Sequence, residues 1–205
     1  MSTKERILEE ALTLFAENGY DGTSVEEIAK HVGIKAPSLY KHYKGKEDIL
    51  NALIDAAESR YEEFFGSERH IGKLPENEEE FIQVTMEKIH FTMRDPMIRK
   101  IRIFLVQEQF RSERLAEITT RHQLYGIQQM YTKILESMMK EGLVIRDDPE
   151  MLAIELTSPA ALLVSQADRQ PKNEEEALQK IEKHLRHFCG VYMKGEKDDR
   201  KEITL

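Results

Sequence analysis

The chain has 205 residues, is 40% hydrophobic and 33% charged, and carries a formal net charge of −8. That content builds a core with a well-solvated surface, in one large domain or two small ones. The single cysteine, Cys189, excludes an intrachain disulfide framework and favours a reducing compartment. No window approaches ~20 uncharged apolar residues, so no membrane span is expected. The start, MSTKERILEE, is charged and has no apolar signal region. The expected location is the cytoplasm.

Residues 3–17 read as a first helix. Ile7, Leu8, Ala11, Leu12 and Phe15 make one apolar stripe, Ser2 or Thr3 caps it, and Asn18-Gly19 ends it. Its expected task is to floor the small core that Tyr20 also fills. The stretch 23–46, TSVEEIAKHVGIKAPSLYKHYKGK, reads as two short helices joined by a tight turn. Thr23 and Ser24 are good N-cap residues, with Glu26 and Glu27 three positions on, the capping-box spacing. Val25, Ile28, Ala29 and Val32 recur at helical spacing. Gly33 can take a left-handed conformation and stop the helix. Pro37 suits the first turn of the next helix, whose Leu39 and Tyr43 are expected to point inward. The connection Gly33-Ile34-Lys35 is as short as a helix-turn-helix requires, and small Ala29 allows a close crossing.

Charge separates this hairpin from an ordinary one. From Lys30 to Lys46 there are five lysines (30, 35, 41, 44, 46), two histidines (31, 42) and no acid. A basic strip on an acidic chain is what phosphate binding needs. Lys35, Ala36, Ser38 and Lys41 lie early on the second helix and can reach a major groove. A lysine there reads guanine edges, and the Ala36 methyl meets a thymine methyl.

The motifs Gly19-Tyr20, Thr23-Ser24-Val25, Ile28-Ala29, Leu39-Tyr40, His42-Tyr43, Lys46 and Ile49, after an amphipathic first helix, resemble the N-terminal domain of the TetR family of transcriptional regulators. The resemblance covers about the first quarter of the chain and departs from the pattern at Ser38, where the family usually has glycine. It implies that Tyr40, His42 and Lys46 hold phosphates and fix register. It also implies a C-terminal domain that binds a small molecule and a dimer built from a four-helix bundle.

The remaining elements are read as helical throughout. Residues 45–65 form a connecting helix, with Ile49, Leu50, Leu53, Ile54, Ala57, Tyr61 and Phe64, followed by a loop from Gly66 to Pro75. Helices are expected at 77–94, 97–110 and, as the longest, 112–141, ended by Gly142. Asp148 is expected to cap the next, with Pro149 at its first position. In the last two helices, Ala153, Leu156, Ala160, Leu163, Ala167 and then Leu178, Ile181, Leu185, Phe188, Tyr192 are spaced 3 and 4 apart, a heptad-like seam. The seam packs either within the monomer or across a dimer. The dimer reading assigns Leu156, Leu163, Ile181, Leu185, Phe188 and Tyr192 to the interface. The tail 194–205 is polar.

Effector-site candidates are Phe81, His90, Met93, Phe104, Gln107, Glu108, Tyr125 and Met130, the apolar ones equally able to be ordinary core. No catalytic motif, glycine-rich phosphate loop or metal-ligand spacing is present, so neither an enzyme nor a cofactor is expected. The expectation is an all-α protein with a three-helix helix-turn-helix domain at 1–46. A larger helical ligand-binding and dimerisation domain follows at 47–205, its connecting helix at 47–66. Its expected activity is that of a homodimeric repressor, with a near-palindromic double-stranded DNA operator and a small-molecule effector as partners and no membrane association. A corepressor-dependent regulator or activator of the same fold, or a helical protein-binding adaptor, is the alternative.

Overall fold

A computed structural model describes residues 1–65 and 74–193. The chain is all-α. Its helices are α1 (Thr3–Asn18), α2 (Val25–Val32), α3 (Ala36–Leu39), α4 (Lys46–Phe65), α5 (Glu78–Arg94), α6 (Pro96–Glu108), α7 (Glu113–Thr120), α8 (Gly126–Lys140), α9 (Pro149–Arg169) and α10 (Glu174–Tyr192). Most of the loop expected at 66–75 and all of the tail after Met193 lie outside the described residues.

Local chemistry accounts for most boundaries. The Ser2 hydroxyl accepts from the Glu5 N–H at 3.2 Å, and the Glu5 carboxylate accepts from the Ser2 N–H at 2.7 Å, a closed capping box on α1. Asp95 and Asp148 cap α6 and α9, each followed by a proline whose missing N–H costs nothing at the first helical position. Pro159 sits inside α9, which continues through it.

The helix expected over 112–141 is not uniform. Between α7 and α8 the backbone widens into a π turn, Arg121–Tyr125, in which the Gly126 N–H reaches back to the Arg121 carbonyl. A Cβ on Gly126 would stand 3.1 Å from that oxygen, so glycine suits the wide turn. The second departure is α3, only four residues long. Its winding continues as turns, with the His42 and Tyr43 N–H groups both donating to the Leu39 carbonyl.

The chain forms two compact units, each with its own core. The first gathers the described residues of Met1–Ser67 and Thr92–Thr119, the second those of Glu68–Phe91 and Thr120–Leu205. In the first unit Ile7, Phe15, Ile28, Leu39, Ile49, Leu53, Ile98 and Phe104 are fully or almost fully buried. Phe15 stacks on Phe104 with centroids 5.5 Å apart. Burying each such ring stabilises by ~1.5–3 kcal/mol.

The second unit packs α9 against both α8 and α10. Here the heptad-like seam finds its partner. Leu156, Ile181, Leu185 and Phe188 are at most 2% exposed within one chain. The seam assigned to a dimer is therefore an intramolecular one as far as these four are concerned, because a side chain with no surface has none to give a partner. Leu163 and Tyr192 keep partial exposure, and the Tyr192 hydroxyl donates to Glu155 at 2.6 Å. Met151, Leu162 and Val191 are left as large exposed apolar residues on the same two helices.

Candidate nucleic-acid interface

The interface is built on α2. Its N-cap is Ser24, whose hydroxyl accepts from the Glu27 N–H at 3.1 Å while Glu27 accepts from the Ser24 N–H at 2.7 Å. The Ser24 N–H, then the Ser24 hydroxyl, hold the Glu27 carboxyl below the usual carboxylate range. Thr23, expected to share the cap, does something else. It is buried, and its hydroxyl lies 2.9 Å from the Gly19 carbonyl and 3.2 Å from that of Leu14, tying down the end of α1.

The turn after α2 fits its sequence closely. Gly33 has φ +77°, ψ +30°, the left-handed conformation. Its N–H donates to the Lys30 carbonyl and that of Ile34 to Ala29, so two of the helix's last carbonyls are satisfied in a Schellman motif. The Arg6 guanidinium takes a third, Val32 O, at 2.6 Å. Sequence reasoning passed over Arg6; nothing in its spacing marks it.

On α3 and the turns after it, Leu39 and Tyr43 point inward, as expected, and are 0% and 3% exposed. Everything assigned to base edges or phosphate before Lys46 keeps surface. Lys35, Lys41 and His42 are exposed, Tyr40 is half-exposed, and Ala36 and Ser38 are partly exposed. Lys30 and Lys44, the other lysines of the strip and weaker phosphate candidates, are exposed too. The acids that begin again in the first turn of α4 are engaged elsewhere. Glu47 pairs with Arg114 at 3.0 Å, and Asp48 accepts from the Lys44 N–H at 2.9 Å. Arg114 is a second contributor that the linear sequence did not reveal, 67 residues away from its partner.

Lys46 is placed differently from the other lysines. Its ammonium is turned onto its own unit and donates to the carbonyls of Tyr20 at 2.6 Å and Thr23 at 3.0 Å. It also lies 4.3 Å from the centroid of the Tyr20 ring.

This geometry has relatives. A family model described as "Bacterial regulatory proteins, tetR family" matches residues 7–53, the span from the floor of α1 to the middle of α4. Over that span, about the first quarter of the chain, the sequence is similar to the tetR family.

Among curated relatives, the HTH-type negative transcriptional regulator IcaR of the biofilm operon icaADBC in Staphylococcus epidermidis is 48% identical over 52 residues. That alignment covers 25% of this chain and 28% of that protein. IcaR of Staphylococcus aureus is 52% identical over 51 residues, 25% and 27% of the two chains. The aligned part is thus about a quarter of the curated relatives' length. Solved structures extend the likeness of fold to nearly the whole chain. SmeT in complex with triclosan superposes with a TM-score of 0.76 at 18% identity, covering 96% of this chain and 94% of SmeT. SmeT is the repressor of the Stenotrophomonas maltophilia multidrug efflux pump SmeDEF. AibR, solved with isovaleryl coenzyme A and operator DNA, has a TM-score of 0.62 at 22% identity, covering 88% and 96%.

The effector-site candidates are divided between the two units. Met93, Phe104, Gln107 and Glu108 belong to the first unit, and Phe81, His90, Tyr125 and Met130 to the second. Phe104 is core, stacked on Phe15. Glu108 is 3% exposed and accepts from Arg111 at 3.2 Å. Phe81 is buried edge-on to Tyr131, whose hydroxyl bonds to Thr85 and is pushed up to about 12, by burial above all. Tyr125, at 59%, and Gln107 are exposed, while His90 and Met130 are intermediate. Among the described residues no helix is long and apolar enough to cross a membrane, and no group of three His, Cys, Asp or Glu could hold a metal ion.

Proposed function

We propose that this protein is a cytoplasmic, homodimeric transcriptional repressor that holds a near-palindromic DNA operator until a small molecule releases it. The observation that carries this reading is the exposed, acid-free face of residues 30–44, supported by an α2 whose two ends are capped by its own residues. Lys35, Ala36, Ser38 and Lys41 meet base edges, while Tyr40 and His42 hold phosphates. In functional terms residues 1–46 are the reading head, and 47–205 regulate and dimerise it.

Two such heads reach successive major grooves when they stand about 34–36 Å apart, one turn of DNA. The exposed Met151, Leu162 and Val191, with Leu163 and Tyr192, are the side chains on α9 and α10 with surface for a second copy. The SmeT–triclosan and AibR–isovaleryl coenzyme A complexes support a small-molecule effector. Here it sits in the second unit, with Met130 supplying apolar contact, Tyr125 a mixed surface and His90 a polar one. The effector acts by shifting α4, and it must bind the released state better than the DNA-bound one.

Selection on random duplexes tests this. The purified protein is expected to enrich a palindromic site that a Tyr40→Ala, Lys41→Ala variant fails to enrich. A folded protein that enriches no sequence sinks the DNA reading, and an effector-bound dimer with undiminished operator affinity sinks the release mechanism.

A further inference from the structure

Lys46 stands apart from the other four lysines of the basic stretch. Lys30, Lys35, Lys41 and Lys44 are exposed, and Lys46 is not. A lysine ammonium has three N–H donors. Two of them are spent on the Tyr20 and Thr23 carbonyls, at 2.6 and 3.0 Å, and the Tyr20 ring covers the ammonium with its centroid at 4.3 Å. Both carbonyls belong to the loop between α1 and α2. Hydrogen bonds from a charged donor, partly shielded from water and backed by a ring face, are among the stronger polar contacts a small domain makes.

The loop that Lys46 grips is fixed on its other sides too. Thr23 is buried and bonds back to the end of α1. At Gly19 a Cβ would come within 2.8 Å of a Glu108 carboxylate oxygen, so α6 lies directly against the loop. The next residue, Ser24, caps α2, and α2 carries α3 through the Gly33 turn. Lys46 is the first residue of α4. A continuous path of bonded contacts therefore runs from the start of α4, through the 20–23 loop and α2, to α3 and the turns after it (residues 36–43), here the recognition turn.

We infer that Lys46 is a positioning residue that pins the start of α4 to the 20–23 loop and sets where the recognition turn stands, and that it is not a phosphate clamp. The inference rests on the DNA-binding reading for its functional meaning, but not for the contact itself.

Three variants separate the roles. Lys46→Met keeps the aliphatic stem and removes every donor. Tyr20→Leu leaves the charge of Lys46 and removes its ring seat. Lys44→Met deletes an exposed lysine with no base role and serves as the phosphate reference. Without DNA, hydrogen exchange at residues 19–24 and in the first turn of α4 is expected to quicken in Lys46→Met and stay unchanged in Lys44→Met. Unchanged exchange in Lys46→Met overturns the inference, whatever the protein does with DNA.

With the selected operator, Lys46→Met is expected to bind on the order of tenfold more weakly. Its plot of log affinity against log salt keeps the slope of the natural protein. Lys44→Met flattens the slope by about one. Lys46→Met and Tyr20→Leu are also expected to tolerate operators whose half-sites are one base pair closer or farther apart. A slope that falls by about one in Lys46→Met makes it a phosphate clamp and overturns the inference. So does weaker binding with spacing preference intact, which would mark a residue that only stabilises the fold. If the natural protein selects no operator, the function proposed above fails, and the exchange experiment still decides this contact.

Discussion

A hydroxyl buried without a partner gives up the bonds it makes to water when the chain is unfolded. Tyr43 is in that position: it is 3% exposed, and its hydroxyl finds no acceptor or donor. Burial, then Asp48, push its ionisation up. Tyr43→Phe is expected to raise unfolding free energy by about 1 kcal/mol in urea titrations while leaving DNA affinity unchanged; a loss of stability means the hydroxyl has a partner in solution. Asp95 is the opposite case. Its burial pushes its carboxyl up, but hydrogen bonds from Arg60 at 2.7 Å and from the Ile98 and Met97 N–H groups outweigh that, and the net shift is downward. A carboxyl that ionises more readily folded than unfolded contributes stability above its unfolded value, near 3.8, and loses it as pH falls through the lower folded one. Asp95→Asn keeps an N-cap and drops the charge. Its stability is expected to fall less than that of the natural protein between about pH 5 and 2; parallel acid profiles would contradict this. Cys189 is 1% exposed, and burial is the main reason its thiol is pushed up to about 12. Alkylation at neutral pH is expected to wait for unfolding, so its rate should follow the unfolding rate measured optically.

At the scale of the helix, α2 is held by its caps more than by its length, since eight residues are too few to be helical alone. Ser24→Ala is expected to cost about 1 kcal/mol and to weaken operator binding through the recognition turn; thermal melts and binding of the same variant check both. These caps were legible in the sequence because a cap is local: Ser24 and Glu27 need only be three residues apart, and Gly33 need only be glycine. The α3 face was legible for the same reason, through Leu39 and Tyr43. Other features depend on residues far apart and were not. A lysine's letter shows its charge but not its direction, so Lys46 looked like its exposed neighbours. The spacing of Leu156, Ile181, Leu185 and Phe188 shows that each helix has an apolar partner, and it reads identically whether that partner is in the same chain or another. Gly126 was visible, but its π turn is defined by an oxygen five residues back. Phe104 looked as suited to a pocket as to a core until Phe15 was found stacked on it.

At the scale of the molecule, an acidic chain with a formal charge of −8 carries a lysine-rich, acid-free strip from Lys30 to Lys46. The acids just beyond it, Glu47 and Asp48, are held by Arg114 and the Lys44 N–H. Binding to DNA should therefore be steeply salt-dependent despite the overall charge. The proposed dimer belongs to this scale as well. Met151, Ser158 and Leu162 are exposed on α9 at spacings of 7 and 4, one face of the helix. Leu162 is 66% exposed, so Leu162→Glu spares the core. Light scattering is expected to show this variant as a monomer with unchanged helicity and greatly weakened operator binding; an intact dimer would move the interface elsewhere.

Engineers who build hybrid regulators often treat a reading head as a detachable cassette. This one is discontinuous in sequence. Phe15 of the head stacks on Phe104, and Glu47 at the start of α4 pairs with Arg114, both partners lying in the stretch 92–119 that returns to the first unit. A graft cut at residue 46 would strand these surfaces against a foreign sequence. A working chimera has to transplant α6 and α7 along with the first four helices, and the specificity of a natural descendant would drift in both segments together.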